Sequence, residues 1–197
     1  MDKNLIIILI VSYFIGNISP SYIVGNFFRN IDIRDYGSGN AGTTNALRVM
    51  GRRIALIVFT VDFLKGFLTV FTVRHFFSEQ YAMMAAVAVV LGHIFPLALK
   101  FRGGKGAAAS IGIYMCMFPK LMLIASFICL VLLYITRFVS LSSMTLVSLM
   151  TVFVYFFSGQ KELWVYFAVI MALVLFSHRS NIKKLLAGTE SKLGAKR

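Results

Sequence analysis

The sequence predicts an all-α, polytopic integral membrane protein, with about seven transmembrane helices in a single domain over residues 1–197. Of the 197 residues, 59% are hydrophobic and 14% are charged, whereas soluble domains usually carry nearly twice that charged fraction. The mean hydropathy is +0.84. Three apolar runs approach or exceed the length that crosses a bilayer, residues 5–28, 54–73 and 81–99. These observations indicate a chain that lies in a membrane.

Shorter apolar segments complete the set of predicted helices. The full set is 5–28, 54–73, 81–99, 107–118, 121–136, 144–158 and 163–177. The first is interpreted as an uncleaved helix rather than a secretory signal, because more apolar chain follows Pro20. We expect Pro20 to kink this helix, since proline removes one backbone hydrogen bond.

The placement of basic residues predicts the orientation. The formal net charge is +13, from 20 Lys and Arg against 7 Asp and Glu. If all seven segments cross with the N-terminus outside, the outer loops receive only Lys3, Arg74, Lys120 and Lys161. Apart from Lys65 within the span 54–73, the remaining basic residues then lie inside, as the positive-inside rule demands, and the C-terminus is cytoplasmic. One tilted span over 107–136 would instead place the basic tail outside. Because the basic residues lie next to the ends of the predicted spans, we expect lipid and anionic substrates as partners, and no nucleic acid.

This topology brings the unusual polar stretches to the inner face. They are "RDYGSGNAGTTNALRVMGRR" (34–53), "GHIFPLALKFRGGKG" (92–106), "RFVSLSSM" (137–144) and "HRSNIKKLLAGTE" (178–190). The outer loops are short and chemically plain. The sequence therefore predicts one functional face, on the cytoplasmic side.

The stretch 36–48 is the first candidate anion site. Its glycines and candidate helix-capping residues are Gly37, Gly39, Gly42, Thr43, Thr44 and Asn45. We expect one of the last three to cap a helix that carries Arg48 and, four residues on, Arg52 on the same face. Exposed N–H groups with an arginine one turn away favour an anion. The alternative is a flexible loop with ordinary caps.

The segment "GGKG" (103–106) is the second candidate. It lacks the glycine spacing and the following Ser or Thr of a nucleotide P-loop. It is typical instead of a local anion nest with one point charge, Lys105, at the start of the helix predicted over 107–118. The alternative is a plain turn at the membrane interface.

His178 and Asn181 lie three residues apart, on one face of a short helix predicted after the last span. Both side chains are good donors to a phosphate or a hydroxyl group. The alternative is a basic amphipathic helix that rests on lipid head groups. That alternative explains the neighbouring lysines but not His178 and Asn181.

Other reactive side chains are interpreted as structural. His93 is favoured as a satisfied core residue over a catalyst. Asp62 and Lys65 are favoured as an ion pair within one helix over direct chemistry. Cys116 and Cys129 are favoured as small buried hydrophobes over a redox pair.

The motifs resemble those of a known family. "GSGNAGTTNALR", "GHIFPLALKFRGGKG" and "HRSNIKKLLAGTE", in this order and spacing, are similar to the motifs of the bacterial membrane acyl-phosphate:glycerol-3-phosphate acyltransferases. "DFLKG" and "VSLSS" also match, so the resemblance covers essentially the whole chain. The departures are small: Ala107–Ala109 stands where the family more often has Val-Ala-Thr, and Lys184 where Arg is common.

The resemblance implies an enzyme of phospholipid biosynthesis in the bacterial inner (plasma) membrane. The fatty acyl group of acyl phosphate would pass to the 1-hydroxyl of glycerol 3-phosphate, which gives lysophosphatidic acid. The resemblance also implies that the enzyme needs no metal and no organic cofactor. It implies that neither acyl-CoA nor acyl carrier protein is used directly as the acyl donor. The chain also lacks the His-x4-Asp pair and the G-x-S-x-G elbow of other acyltransferases and hydrolases.

The resemblance also implies the site residues. The expected catalytic residues are Ser38, Lys105 and Asn181, and the expected substrate-binding residues are Gly39, Asn40, Thr43, Asn45, Arg48, Gly103, Gly104, Gly106, Ser142, Ser143 and His178. We expect Arg48, His178 and Asn181 to converge on glycerol 3-phosphate. The alternative function is a carrier or channel for an organic phosphate anion. It is disfavoured because a transporter needs polar access from both sides, and the outer half of this chain is almost entirely apolar.

Overall fold

A computed structural model describes residues 2–194, and the regular structure in that part of the chain is helical. This confirms the all-α class. The α-helices are α1 Lys3–Asn17, α2 Pro20–Arg29, α3 Thr43–Met50, α4 Arg52–Phe76, α5 Glu79–Ile94, α6 Ala107–Met117, α7 Pro119–Thr136, α8 Val139–Phe157, α9 Trp164–Ser177 and α10 Arg179–Leu186. Short 3₁₀ turns lie at Ile33–Asp35, Leu97–Leu99 and Lys161–Leu163.

All seven predicted apolar segments are helical. Within residues 2–194, four helices are long and apolar enough to cross a membrane, and the number rises to six if each bent pair forms one span. The bent pairs are α1 with α2, and the segment Lys161–Ser177 with α10. The eleven residues of α6 rise only about 16 Å. Seven crossings with the N-terminus outside stay a prediction.

The first predicted span, residues 5–28, is broken rather than kinked. α1 and α2 meet at an angle of 40°, and Ile18 and Ser19 lie between them. Pro20 is the first residue of α2, where its missing N–H would have had no intrahelical partner. The predicted bend near Pro20 is therefore present, but it separates two helices instead of kinking one.

A second break separates α3 from α4. Gly51 has a φ of 89° and ends α3, so Arg52 begins the next helix. Arg48 and Arg52 consequently do not share a helix face, which corrects the prediction. The residue that precedes α3 is Gly42, and no side chain caps the helix. The predicted cap at Thr43, Thr44 or Asn45 was wrong as well.

The chain divides into two compact units, Met1–Met117 and Phe118–Arg197. In the first unit, α1 packs on α5 and α4 packs on α6 through glycines. A Cβ added to Gly16 or Gly92 would collide with backbone of the opposite helix, and so would one added to Gly66 or Gly112. Small residues thus allow these helix backbones to approach closely, as is common in membranes. The single domain over 1–197 stays a prediction.

In the second unit, α7 and α9 each pack against α8. The buried side chains include Met122, Met150, Phe167 and Ile170. Along α7, large apolar side chains remain exposed, with Phe127 at 70% and Ile135 at 72%. Such exposure is expected for a helix that faces lipid hydrocarbon.

Candidate active site

Asn45 organises the first glycine-rich loop. Its side chain is buried, its Oδ1 accepts a hydrogen bond from the Ser38 N–H at 2.8 Å, and its Nδ2 donates to the carbonyl oxygens of Ile33 and Tyr36 at 3.0 Å. Gly37 has a φ of 63°, and a Cβ there would collide with Asn45 Oδ1, so this turn requires glycine. The amide of Asn45 holds this loop together, and the predicted contact of Asn45 with substrate stays a prediction.

A small apolar core holds the loop and α3 in place. Its buried members are Ile33, Ala41, Ala46, Met50, Ala55 and Val58. Because this face of α3 is buried, the opposite face is presented outward. Ser38, Gly39 and Arg48 are exposed, so three predicted site residues lie on the accessible side of this segment.

Thr43 begins α3 and has an uncommon environment. Its Oγ1 is buried and makes no hydrogen bond to the residues that the structure describes. The first N–H groups of a helix have no intrahelical partner and attract anions. Thr43 is therefore suited to complete a site at the start of α3.

Two hydrogen bonds join the first loop to the segment 99–106. Asn40 Nδ2 donates to the carbonyl oxygen of Gly103 at 3.2 Å, and Arg34 Nη1 donates to that of Leu99 at 2.8 Å. The structure thus brings the predicted residues Asn40 and Gly103 together. Arg34 also pairs with Asp32, with Nη2 and Oδ2 2.6 Å apart. The hydrogen bond from Arg34 lowers the pKa of the Asp32 carboxyl below its usual value.

The second loop has fewer backbone N–H groups available to an anion than the sequence predicts. The N–H of Gly103 donates to the carbonyl oxygen of Ile94 at 3.2 Å, and the N–H of Gly104 donates to that of His93 at 3.0 Å. These two N–H groups are therefore already used within the fold, and the predicted binding of substrate by Gly103 and Gly104 stays a prediction. Gly106, with a φ of 83°, leads directly into α6. Half-buried Lys105 and the first turn of α6 are what this loop offers to an anion.

A buried ionic cluster lies behind the second loop. Asp62 Oδ1 is 2.7 Å from Lys65 Nζ, which confirms the predicted pair within one helix. His93 is buried as predicted, and its Nδ1 is 3.4 Å from the same carboxylate oxygen.

In the second unit, His178 joins α9 to α10. It is 3% exposed, and its Nδ1 lies 2.8 Å from the carbonyl oxygen of Val174. Because a carbonyl only accepts, Nδ1 carries the proton, and Nε2 is then the nitrogen for other partners. The predicted short helix exists as α10, but His178 precedes it rather than lying on it.

Glu190 connects two predicted regions of this unit. Its Oε1 accepts hydrogen bonds from Asn181 Nδ2 and from Ser140 Oγ, both at 2.7 Å. Sequence reasoning did not select Glu190. The available signal was that it is the one acidic residue after Glu162. Of the predicted serines on α8, Ser142 is buried and its Oγ donates to the carbonyl oxygen of Phe138 at 3.2 Å, and Ser143 is half-buried.

Between residues 2 and 194, no group of three or more His, Cys, Asp or Glu side chains is placed to hold a metal ion.

Comparisons with known proteins cover nearly the whole chain. A family model described as glycerol-3-phosphate acyltransferase matches residues 6–188. The glycerol-3-phosphate acyltransferase of Thermoanaerobacter sp. (strain X514) is 46% identical over 187 residues, which are 95% of this chain and 94% of that relative. The enzyme of the same name from Alkaliphilus metalliredigens (strain QYMF) is 43% identical over 191 residues, with 97% of each chain covered.

A solved structure is similar over the same length. The crystal structure of PlsY, an integral membrane glycerol 3-phosphate acyltransferase, in its glycerol 3-phosphate form superposes with a TM-score of 0.93 at 31% identity. The match covers 98% of this chain and 96% of that one. The lysophosphatidic acid form of PlsY superposes with a TM-score of 0.90.

Proposed function

Since the chain belongs to the glycerol-3-phosphate acyltransferase family, we propose that it moves a fatty acyl group from acyl phosphate to the 1-hydroxyl of glycerol 3-phosphate. The observation that carries this is the family match over 6–188, which includes both glycine-rich loops and nearly all of the segment 178–190. PlsY has been crystallised in forms named for glycerol 3-phosphate and lysophosphatidic acid, which are a substrate and the product of this reaction.

The reaction needs little acid–base help from the protein. The hydroxyl oxygen of glycerol 3-phosphate attacks the acyl carbon, a new ester C–O bond forms, and the C–O bond to phosphate breaks. Inorganic phosphate leaves, and the leaving phosphate or the substrate's own phosphate takes the hydroxyl proton. Proximity and stabilisation of negative charge then supply most of the rate enhancement.

The residues of the first unit are proposed to bind phosphate and the developing oxyanion. Lys105 supplies a point charge beside the start of α6. Arg48 supplies the two-pronged guanidinium that suits a phosphate dianion. Ser38 is exposed at the turn that Asn45 shapes, and we assign it to the reacting centre. Asn40 and Thr43 complete the polar lining.

The residues of the second unit are proposed to contribute hydrogen-bonding groups: the Nδ2 amide of Asn181 can donate, and the Nε2 of His178 can accept, for example from a substrate hydroxyl. His178 is held through Nδ1, and Asn181 through its contact with Glu190. Both are therefore fixed in orientation, which favours binding. Convergence of Arg48, His178 and Asn181 on glycerol 3-phosphate stays a prediction.

The site is proposed to face the cytoplasm of a bacterial cell. The support is the charge asymmetry, because most basic residues fall on one side of the predicted topology. Glycerol 3-phosphate, a small anion, would then reach the enzyme from the cell interior, while acyl phosphate would enter from the membrane.

Product analysis tests the proposal directly. Purified full-length protein in detergent is mixed with palmitoyl phosphate and glycerol 3-phosphate, and the lipids are separated. We expect lysophosphatidic acid together with an equal amount of inorganic phosphate. Palmitoyl-CoA in place of palmitoyl phosphate serves as the control and should yield no product. Product from palmitoyl-CoA alone would contradict the proposed donor.

A further inference from the structure

Three buried ionisable side chains of the first unit have no role in the reaction described above. Asp62, Lys65 and His93 are 1%, 7% and 6% exposed. Asp62 and Lys65 lie one turn apart on α4, and His93 lies in the last turn of α5. Buried charges are unfavourable unless each one is paired and hydrogen-bonded. The partners of these three groups therefore show what the cluster does.

Lys65 connects the cluster to the end of α1. Its Nζ lies 2.7 Å from Asp62 Oδ1 and donates hydrogen bonds to the carbonyl oxygens of Gly16 at 3.2 Å and Ile18 at 2.8 Å. The last carbonyl groups of a helix have no intrahelical partner. Lys65 therefore fixes the break between α1 and α2 to α4.

His93 connects the cluster to the second loop. His93 Nδ1 lies 3.4 Å from Asp62 Oδ1, and the negative charge of the carboxylate favours a proton on this nitrogen. The other ring nitrogen, Nε2, lies so close to Gly104 that a Cβ there would collide with it. The backbone repeats the link, because the Gly104 N–H donates to the His93 carbonyl oxygen at 3.0 Å. The imidazole thus supports the residue directly before Lys105.

We propose that Asp62, Lys65 and His93 are positioning residues of the acyl transfer reaction. Asp62 fixes the rotation of the His93 ring, and the ring fixes Gly104 and hence the path of the chain into Lys105. This proposal rests on the proposed role of Lys105 as a phosphate ligand. A carboxylate commonly orients a histidine whose other nitrogen faces a site. A misplacement of about 1 Å at a reacting group lowers the rate by about a hundredfold.

Steady-state kinetics of purified full-length variants in detergent test the proposal. We expect His93→Ala to lower kcat/KM by about ten- to a hundredfold. His93→Asn keeps an N–H close to the place of Nδ1 and should recover most of that loss. His75→Ala is the matched control, because His75 is an exposed histidine in the last turn of α4. It should leave kcat and KM unchanged.

A double-mutant cycle separates positioning from general destabilisation. Gly104→Ala places a methyl group against the His93 ring and should reduce kcat/KM on its own. In the His93→Ala background that space is free, so Gly104→Ala should add little further loss. Strict additivity of the two losses would overturn the proposal. If His93→Ala does not purify as a folded protein, His93→Asn takes its place in the cycle, because asparagine also lacks the ring atoms that face Gly104.

The outcomes distinguish this proposal from the proposed function. A wild-type protein without acyl transfer, or a fully active Lys105→Gln variant, contradicts the function assigned to the loop. A fully active His93→Ala variant in a chain that Lys105→Gln inactivates contradicts the positioning role alone.

Discussion

At the scale of the residue, the first unit uses polar side chains in two distinct ways. Asn45, Asp62 and His93 are buried and bind other parts of the protein. Ser38 and Arg48 are exposed on a segment whose shape the buried residues determine. Substitutions of the two groups should therefore differ, because the first disturbs a scaffold and the second removes a contact to substrate.

The positive charge of Lys105 is predicted to matter because of its position, so that the nearby charge of Lys100 cannot substitute for it in binding phosphate. Lys105→Gln should lower kcat/KM by about ten- to a hundredfold, because a hydrogen bond to a charged group contributes roughly 1.5–3 kcal/mol. Lys100→Gln, at an exposed residue of the same segment, should change kcat/KM less than twofold, about 0.4 kcal/mol. Equal losses from the two variants would show that overall basic charge, and not the place of Lys105, matters.

Arg48 is predicted to need its guanidinium and not only its charge. Arg48→Lys should be nearly as harmful as Arg48→Ala, because an ammonium cannot copy two parallel hydrogen bonds to phosphate. The loss should appear as a higher KM for glycerol 3-phosphate, measured at saturating acyl phosphate. Arg52→Lys, at the exposed first residue of α4, is the control. Full activity of Arg48→Lys would contradict the prediction that Arg48 makes two parallel hydrogen bonds to the phosphate.

At the scale of the element, the Asp32–Arg34 pair fastens the first loop to the segment after α5. Because the pKa of Asp32 is lowered in the folded state, its contribution to stability is present above the unfolded pKa of about 3.9 and is lost as the pH falls through the lower folded pKa. The Tm difference between wild type and Asp32→Asn should thus be largest near neutral pH and shrink below about pH 4. Thermal unfolding between pH 7 and pH 3 measures it.

The control for that experiment is Asp35→Asn, at an exposed carboxylate in the 3₁₀ turn that Asp32 caps. Its Tm difference from wild type should stay small across the series. A difference for Asp32→Asn that is constant with pH would show that the pair does not stabilise the fold through its charge.

The contact between α4 and α6 depends on the absence of a side chain at Gly66. A Cβ there would collide with the backbone carbonyl of Ala109, so Gly66→Ala should force the helices apart. The expected decrease in the free energy of unfolding is about 1–3 kcal/mol, as for other overpacked cores. Leu68→Ala, two residues along α4 at a side chain that is 50% exposed, should cost about 0.5 kcal/mol or less. Reversible unfolding in detergent compares them.

The elements were easier to predict than the site, for a physical reason. The length of an apolar run is a local property, so all seven segments appear in the sequence. At the break between α1 and α2, the free carbonyl groups of Gly16 and Ile18 are satisfied by Lys65 of α4, and the local sequence of α1 does not reveal that distant partner. The N–H groups of Gly103 and Gly104 resemble a free nest in the sequence because their acceptors, at the end of α5, precede them by about ten residues.

Side chains in the second unit show the same limit. Asn181 was selected because its type and spacing suit a phosphate, and that choice stays a prediction. Glu190 was missed because its importance comes from Ser140, fifty residues earlier, which donates to the same oxygen as Asn181. A carboxylate that joins two distant segments has no local pattern.

At the scale of the whole molecule, the orientation in the membrane is the main prediction. Cys116 and Cys129 are first replaced by serine, and single cysteines are placed beside Ser38, Arg102, Ser191 or Gly159. The cysteines beside Ser38, Arg102 and Ser191 should react only with thiol reagents that reach the cytoplasm. The cysteine beside Gly159 should react with a membrane-impermeant reagent added outside the cell. Labelling beside Ser191 from outside would contradict seven crossings with a cytoplasmic C-terminus.

The ion pair within α4 has a consequence for how the protein is made. A lone charged residue near the middle of a helix opposes insertion into a bilayer by about 2.5–3.5 kcal/mol. Asp62 and Lys65 are synthesised one turn apart on the same helix, so the segment leaves the ribosome with its charges already matched. The carbonyl groups of Gly16 and Ile18 are made earlier, and His93 follows later. The apolar part of α4, residues 54–73, therefore carries no net charge of its own when it enters the membrane.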